Sequence, residues 1–368
     1  MRKHRIIIGG GGTGGHVFPA ISIANALDHM LDDAEFLFVG AKGKMEMEKV
    51  PDAGYKIIGL PVAGFQRKLS LKNISFFFKL MRSMTISRKI IRKFKPDIAI
   101  GVGGYASGPI VKAAARKNIP VLLQEQNSYA GITNRILAKS AEKICVAYEG
   151  MEKYFPAEKI ILTGNPIRQD LLLAPDEFES SLHHFGISKG KKVILLIGGS
   201  LGAQTLNESV IGNLDTIAAS DIQLIWQSGA YYEERSKTAL QKSKAENVTL
   251  LPFIREMNRA FQVADLIISR AGAGTISELA LVAKAVILVP SPNVAEDHQT
   301  SNARALSERN AAILIPDTDA RRSLFETALE LVHNDEKCKE LSTNIRKLAI
   351  SNSSERIAAE VRKILEKK

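Results

Sequence analysis

The first residue with an obvious chemical use is a histidine at the end of a glycine-rich run. His16 closes the sequence GGGGTGGH at 9–16, directly after the strand-like run at 5–8. Glycines let backbone N–H groups approach a phosphate closely, and a helix that begins here adds the positive end of its dipole. An imidazole that titrates near neutral pH could then remove a proton from a hydroxyl group. A lone histidine is more often a packed or capping residue, so both roles stay open.

This glycine run fits the common nucleotide-binding motifs only in part. It matches G-x-G-x-x-G, but a dinucleotide site also needs a carboxylate about 20 residues later. The second predicted strand ends over 38–42 without one. A P-loop needs Lys and then Ser or Thr after its last glycine, where this chain has His16. A tight turn alone would explain two glycines more readily than six, so we predict a phosphate-binding loop.

More glycines and charges follow other predicted strands. Glycine-rich loops lie at 101–109 and 198–203, which suggests a ligand with more than one phosphate, or two such ligands. Glu125 is an acid at the end of an apolar strand, where a functional site is a more frequent explanation than a core position. Arg168 and Arg270 end other strands and could neutralise a departing diphosphate, or could form surface salt bridges.

The loop at 269–278, SRAGAGTISE, allows two interpretations. As a capping box, Thr275 would be the N-cap of a helix and Glu278 its reciprocal partner at N3. As a binding site, Glu278 would accept hydrogen bonds from both hydroxyls of a ribose while the helix N-terminus faces a diphosphate.

The elements that must position these residues follow a repeated pattern. Strand-like runs, glycine turns and helical periods alternate along all 368 residues, which is typical of βαβ units around a parallel sheet. A second strand–glycine–helix unit opens at 191–210, and a chain of this length commonly divides. We therefore predict an α/β protein with two similar doubly wound domains and a helical tail from about Ala320 to Lys368. In the first half the predicted strands are 5–8, 35–40, 97–104, 120–127, 143–148 and 159–165.

Composition disfavours several classes of protein. Cys145 and Cys338 fit no metal or redox spacing, which favours a reducing compartment. We expect neither a metal nor another cofactor. The N-terminus has too few apolar residues for a signal peptide, and no run approaches the roughly 18–20 apolar residues of a spanning helix. We expect a protein of the cytosol, or one attached to the membrane from the cytosolic side.

Most of the net charge of +11 comes from one segment. Between Arg67 and Lys95 there are ten Lys or Arg and no acidic residue. The segment is predicted to be one long helix, with Phe77, Phe78, Met81 and Met84 toward the core and Phe76 and Leu80 pointing away. Phe76 and Leu80 would enter an anionic membrane surface, unless a neighbouring loop covers them. The interleaved apolar residues disfavour a nucleic-acid partner.

Taken together, the motifs resemble the MurG family of glycosyltransferases along nearly the whole chain. The resemblance rests on GGGGTGGHVFPA, GVGGYASGP, QEQNSYAGITNR, GNPIR, GGSLGAQTLN and RAGAGTISEL, in order and at natural spacing. It implies the GT-B fold, in which two Rossmann-like domains face a cleft. The expected domains are 1–164, for the acceptor and membrane, and 165–351, for UDP-GlcNAc, with a C-terminal helix at about 352–368 packing back on the first.

The resemblance also implies a reaction and a place in the cell. N-acetylglucosamine (GlcNAc) would pass with inversion from UDP-GlcNAc to the C4 hydroxyl of undecaprenyl-diphospho-MurNAc-pentapeptide. This step converts lipid I to lipid II in peptidoglycan synthesis. The enzyme would be peripheral on the cytoplasmic face of the inner membrane, beside other cell-wall synthesis proteins. A diacylglycerol glucosyltransferase and a UDP-GlcNAc 2-epimerase remain alternatives, because both share this layout.

Site residues follow from the matching motifs. Those implied for catalysis are His16, Tyr105, Glu125 and Asn134. Those implied for binding substrate are Thr13, Gly14, Gly15, Asn127, Arg168, Ser200, Asn207, Ile254, Arg270, Ala273, Gly274, Thr275, Glu278 and Gln299, with the Ile254 backbone reading the uracil edge. The chain departs from some relatives at Gly274, where they have a larger apolar residue, and at His298, where they have glutamine.

Overall fold

The chain divides into two compact units, each built around a parallel sheet. A computed structural model describes residues 3–62, 72–167, 171, 175–199, 201–294 and 297–367, with the backbone alone over 72–77 and at 175. One unit comprises Met1–Ile167 with Ile350–Lys368, and the other comprises Arg168–Ala349. The predicted α/β class with two Rossmann-like domains is confirmed.

The first unit has a seven-stranded sheet within the described residues. Its strands are β1 (His4–Gly9), β2 (Ala34–Ala41), β3 (Lys56–Leu60), β4 (Ile98–Gly101), β5 (Val121–Glu125), β6 (Lys143–Val146) and β7 (Ile160–Leu162), in the order 3-2-1-4-5-6-7. Its helices are α1 (Gly14–Met30), α2 (Glu46–Asp52), α3 (Lys72–Phe94), α4 (Ser107–Ala115), α5 (Ile132–Leu137) and, from the C-terminus, α15 (Ser353–Glu366). Alternate residues of β1 face opposite sides, so Ile7 packs with α3 and α4 while Ile6 and Ile8 pack with α1 and α15.

The second unit repeats this plan with six strands in the described part of the chain. Its strands are β8 (Val193–Ile197), β9 (Gln223–Gln227), β10 (Val248–Leu251), β11 (Leu266–Ser269), β12 (Ala285–Leu288) and β13 (Ile313–Leu314), in the order 10-9-8-11-12-13. Its helices are α6 (Phe178–Phe185), α7 (Gln204–Gly212), α8 (Leu214–Ala219), α9 (Glu233–Lys242), α10 (Met257–Val263), α11 (Ala273–Val282), α12 (His298–Ser307), α13 (Asp317–Val332) and α14 (Asp335–Arg346). The buried Trp226 and Phe325 belong to the core on one face of this sheet.

Each sheet has a topological switch point beside its first strand. β1 pairs with β2 on one side and β4 on the other, and β8 pairs with β9 and β11 in the same way. Gly9 is in register with Gly101, and Ile197 is in register with Ser269. The glycine-rich loops that follow β1 and β4 therefore begin side by side, and so do those that follow β8 and β11. Ligands of doubly wound sheets bind outside the carboxyl ends of the strands at such a point.

Three predicted elements needed correction. β3 was missed, because its five residues include a glycine and the exposed Lys56. The helical tail is three helices, α13 to α15, which are separated at 333–334 and 347–352. The capping box at Thr275 is wrong, because α11 begins at Ala273 with Gly272 as its N-cap. Thr275 is therefore the third residue of the helix, and Glu278 lies in its second turn.

α3 is a helix as predicted, but its core-facing side was wrong. Phe78 and Met81 are exposed, whereas Leu80 is half-buried. Ser83, Ser87, Ile90 and Ile91 are buried instead, and the two isoleucines share a core with residues of α4. Small serine side chains let two helices approach closely, and the larger Phe78 and Met81 remain outside. The side chains of Phe76 and Phe77 lie outside the described residues. No described helix is long and apolar enough to cross a membrane.

Candidate functional site

In the first unit the glycine-rich loops after β1 and β4 are packed against each other. Gly11 and Gly12 have φ of 140° and 95°, a region that favours glycine. A Cβ on Gly104 would lie 2.2 Å from the carbonyl oxygen of Gly11, so the two backbones touch. α1 begins at Gly14, after an extended Thr13 at the N-cap. The first N–H groups of this helix have no acceptor within the helix and could bind an anion.

His16 lies between these two loops. Its Nδ1 is 3.2 Å from the Thr13 hydroxyl oxygen, and a Cβ on Gly103 would stand 2.8 Å from its Nε2. When Nδ1–H donates to Thr13, Nε2 keeps its lone pair and can accept a proton. Tyr105, predicted to take part in catalysis, has an exposed side chain in the second loop. The structure thus brings Thr13, Gly14, Gly15, His16 and Tyr105 to one edge of the sheet.

Glu125 is buried at the end of β5 and organises the loop that follows. Its carboxylate accepts hydrogen bonds from Asn127 N at 3.1 Å, Asn127 Nδ2 at 3.3 Å, Gly131 N at 3.0 Å and Asn134 Nδ2 at 2.9 Å. Burial raises the pKa of Glu125, and these hydrogen bonds oppose the increase. With both oxygens engaged, Glu125 shapes the loop at 127–134 and is poorly placed to take a proton from a substrate.

In the second unit the corresponding edge carries the N-terminus of α11. Ala273, Gly274 and Thr275 form its first turn, whose N–H groups could face a phosphate. Glu278 is half-buried one turn further along. Because Glu278 is not part of a capping box, helix capping no longer explains its position. Gln299 uses its Oε1 to accept from Ala271 N and Ser291 N, at 3.2 and 2.8 Å, which leaves only its Nε2 to contact a ligand.

Arg270 is held rigidly at the end of β11. Its Nη1 donates to the carbonyl oxygens of Val289 and Pro290 and to Asp317, which in turn accepts from the Thr205 hydroxyl. The Arg270 and Asp317 side chains are 16% and 20% exposed, so this is a partly buried ion pair and not a surface salt bridge. The arrangement fixes the Arg270 guanidinium, paired with the Asp317 carboxylate, at the edge where a diphosphate would lie.

Other predicted residues are placed less directly. Asn207 is buried, accepts from Trp226 Nε1 and donates to Ser228 O, each at 2.8 Å, so it joins α7 to β9. Ile254 is buried, with 3% of the residue exposed. Arg168 and Ser200 lie outside the described residues.

The sequence did not predict a role for Asp317 or Glu46. Each of them forms a hydrogen bond to a loop that is far away in sequence, and neither belongs to a motif. Within the described ranges, no group of His, Cys, Asp or Glu could hold a metal ion.

Comparison with known proteins identifies the family. The N-terminal domain of glycosyltransferase family 28 matches residues 6–146, and its C-terminal domain matches residues 193–360. Over 368 residues, and 100% of both chains, the protein is 57% identical to a Parabacteroides distasonis protein named UDP-N-acetylglucosamine–N-acetylmuramyl-(pentapeptide) pyrophosphoryl-undecaprenol N-acetylglucosamine transferase. The chain therefore belongs to glycosyltransferase family 28. It is a glycosyltransferase, and the predicted resemblance to the MurG family is confirmed.

Solved structures agree with this assignment. A crystal structure of MurG from Acinetobacter baumannii is similar with a TM-score of 0.78 and 29% identity, over 98% of this chain and 100% of that chain. A UDP-GlcNAc 2-epimerase from Neisseria meningitidis, bound to UDP-GlcNAc, is similar with a TM-score of 0.66 and 14% identity, over 98% of this chain and 100% of that one. At 14% identity the second likeness is one of fold alone.

Proposed function

We propose that this glycosyltransferase transfers GlcNAc from UDP-GlcNAc to the C4 hydroxyl of undecaprenyl-diphospho-MurNAc-pentapeptide, converting lipid I to lipid II. The full-length identity of 57% to a transferase with that name carries the proposal. The two switch-point edges, each with glycine-rich loops at helix N-termini, suit substrates that both contain a diphosphate.

The proposed chemistry is a single displacement that inverts the anomeric carbon. The C4 oxygen of the acceptor forms the new bond while the bond to the UDP oxygen breaks, and UDP leaves with the electron pair. His16 accepts the C4 proton at Nε2, with Thr13 fixing the ring through Nδ1. Arg270 and the first-turn N–H groups of α11 stabilise the charge that develops on the departing diphosphate.

The other predicted residues have supporting roles in this proposal. Glu278 binds the ribose, the Ile254 backbone reads uracil, and Gln299, Arg168 and Ser200 contact the rest of the donor. Tyr105, Asn127 and Asn134 serve the acceptor side, with Glu125 shaping their loop. We assign acceptor and membrane binding to a domain of 1–164 with 352–368, and donor binding to 165–351.

We further propose that the protein binds an anionic membrane surface through α3, on the cytoplasmic side, beside other cell-wall synthesis proteins. The exposed Phe78 and Met81 join Phe76 as the proposed apolar contacts, in place of Leu80, which is half-buried. Lys79 and Arg82 flank them and are exposed. Membrane contact would keep the enzyme beside its lipid-linked acceptor.

Transfer of radiolabelled GlcNAc in detergent tests the proposed function. Labelled UDP-GlcNAc is offered with the muramoyl-pentapeptide lipid, and in parallel with diacylglycerol. Label should enter only the muramoyl lipid. Label in diacylglycerol, or conversion of UDP-GlcNAc to its 2-epimer without an acceptor, would contradict the assignment.

A further inference from the structure

Glu46 is a buried carboxylate directly behind the first glycine-rich loop. It opens α2 and is 1% exposed. Its Oε1 accepts from Gly12 N at 3.0 Å and from Ala41 N at 2.9 Å, and its Oε2 lies 3.1 Å from Gly12 N. The carboxylate therefore joins the end of β2 to the loop between β1 and α1. Hydrogen bonds that involve a charged group are among the stronger ones in proteins.

Two glycines are needed to admit this side chain. A Cβ on Gly11 would lie 2.1 Å from Glu46 Oε1, and a Cβ on Gly40 would lie 2.5 Å from Glu46 Cγ. Side chains at either position would displace the carboxylate. Part of the glycine-rich sequence is thus explained by an internal carboxylate and not by a bound phosphate.

The hydrogen bond from Gly12 has consequences for the residues that follow. It turns the Gly12 N–H inward, away from any ligand, and Gly12 is bonded to Thr13, the N-cap of α1. Thr13 contacts His16 Nδ1, and Gly11 touches the second loop at Gly104. A change in the position of the Glu46 carboxylate would therefore move the His16 ring and both loops.

We propose that Glu46 is a positioning residue, which holds the first glycine-rich loop so that the α1 N-terminus faces the acceptor diphosphate and His16 faces the acceptor hydroxyl. This inference rests on the proposed function for the identity of the acceptor. It does not require Glu46 to touch substrate. Its effect should appear in acceptor kinetics and in loop protection, and not in UDP binding.

Three variants separate positioning from general stability. Glu46→Ala removes both acceptor oxygens, Glu46→Gln keeps one oxygen for Gly12 and Ala41, and Glu48→Ala removes an exposed carboxylate from the same helix. At a temperature where all are folded, Glu46→Ala should lower kcat/KM for the acceptor by about 10-fold to 100-fold. Glu46→Gln should recover most of this loss, Glu48→Ala should match the parent protein, and all should bind UDP alike.

Hydrogen exchange provides a readout that does not depend on transfer. In Glu46→Ala the amide hydrogens of 9–16 should exchange faster than in the parent, while Glu48→Ala leaves them unchanged. Parent-like acceptor kinetics in Glu46→Ala would overturn the positioning role, even with a lower Tm. If the parent protein transfers no GlcNAc, the proposed function fails, and unchanged exchange over 9–16 in Glu46→Ala would then overturn the role of Glu46 separately.

Discussion

At the scale of single residues, a hydrogen bond donated by His16 Nδ1–H to the Thr13 hydroxyl leaves Nε2 as the imidazole nitrogen that can accept a proton. We expect His16→Ala to lower kcat by about 10²–10⁴-fold, because general-base catalysis contributes that much. UDP affinity should change little, since the donor contacts are assigned to the second unit. His29→Ala, an exposed histidine further along α1, is the matched control. Parent-like turnover in His16→Ala, measured by label transfer, would remove His16 from the chemistry.

Glu278 offers a separate test on the donor side. Glu278→Ala should weaken UDP-GlcNAc binding by about 10-fold to 150-fold, because charged hydrogen bonds contribute about 1.5–3 kcal/mol. The exposed-surface variant Glu326→Ala is the control for the Tm of this variant. Titration calorimetry measures the affinity. Normal binding together with a lowered Tm would assign Glu278 a structural role.

The buried Glu125 makes a prediction about pH. Its folded pKa is raised by burial above the ordinary value of 4.5, so above pH 4.5 the folded state holds a proton more tightly than the unfolded chain. The contribution of Glu125 to stability is therefore greatest below pH 4.5 and is lost as the pH rises through the folded pKa. As the pH rises from about 4 to 7, the Tm of the parent should fall relative to the Tm of Glu125→Gln, which cannot titrate at this position. A constant difference would contradict the raised pKa.

Sequence motifs point to residues on the loops and not to the residues behind them. The glycines, His16 and Glu278 are candidates because they lie in short patterns that follow strands. Glu46 and Asp317 gave no such signal, because their partners at Gly12 and Arg270 are brought near only by the sheet. Supporting contacts of this kind depend on tertiary structure and leave no periodic pattern in the local sequence.

At the scale of elements, most strands were predictable because both faces of a parallel sheet are buried and their sequences are almost continuously apolar. The capping box failed because a local motif matched while the helix began three residues earlier, at Ala273 with Gly272 as its N-cap. The orientation of α3 failed for a different reason. Apolar size was taken as a guide to the core, but Ser83 and Ser87 occupy it.

The corrected orientation of α3 gives a prediction for membrane binding. Phe78→Ser with Met81→Ser should reduce sedimentation with anionic vesicles, since each inserted apolar side chain contributes about 1.5–3 kcal/mol. High salt should release the parent in part, because each basic residue near the surface contributes about 1 kcal/mol through screened attraction. Phe178→Ser, an exposed aromatic in the second unit, is the control, and UDP binding should be normal in both variants. Parent-like sedimentation of the double variant at every salt concentration would exclude this face.

At the scale of the whole molecule, the function rests on two units with the same plan and different loops. Both sheets present glycine-rich turns and helix N-termini at a switch point, and among the described residues a histidine lies between the loops of the first sheet alone. This asymmetry supports the proposed division, in which one unit would supply the base and acceptor contacts and the other would hold the nucleotide. The repeated plan was predictable from sequence, because the strand–glycine–helix pattern opens twice.

The most direct test of this account is the structure of the product formed from lipid-linked muramoyl-pentapeptide and UDP-GlcNAc. Nuclear magnetic resonance should find one GlcNAc per acceptor, joined to the MurNAc C4 oxygen in the β configuration, with one UDP released for each transfer. An α-linked sugar would contradict the single displacement. UDP released without a glycosylated lipid, or GlcNAc attached at another position, would contradict the proposed function itself.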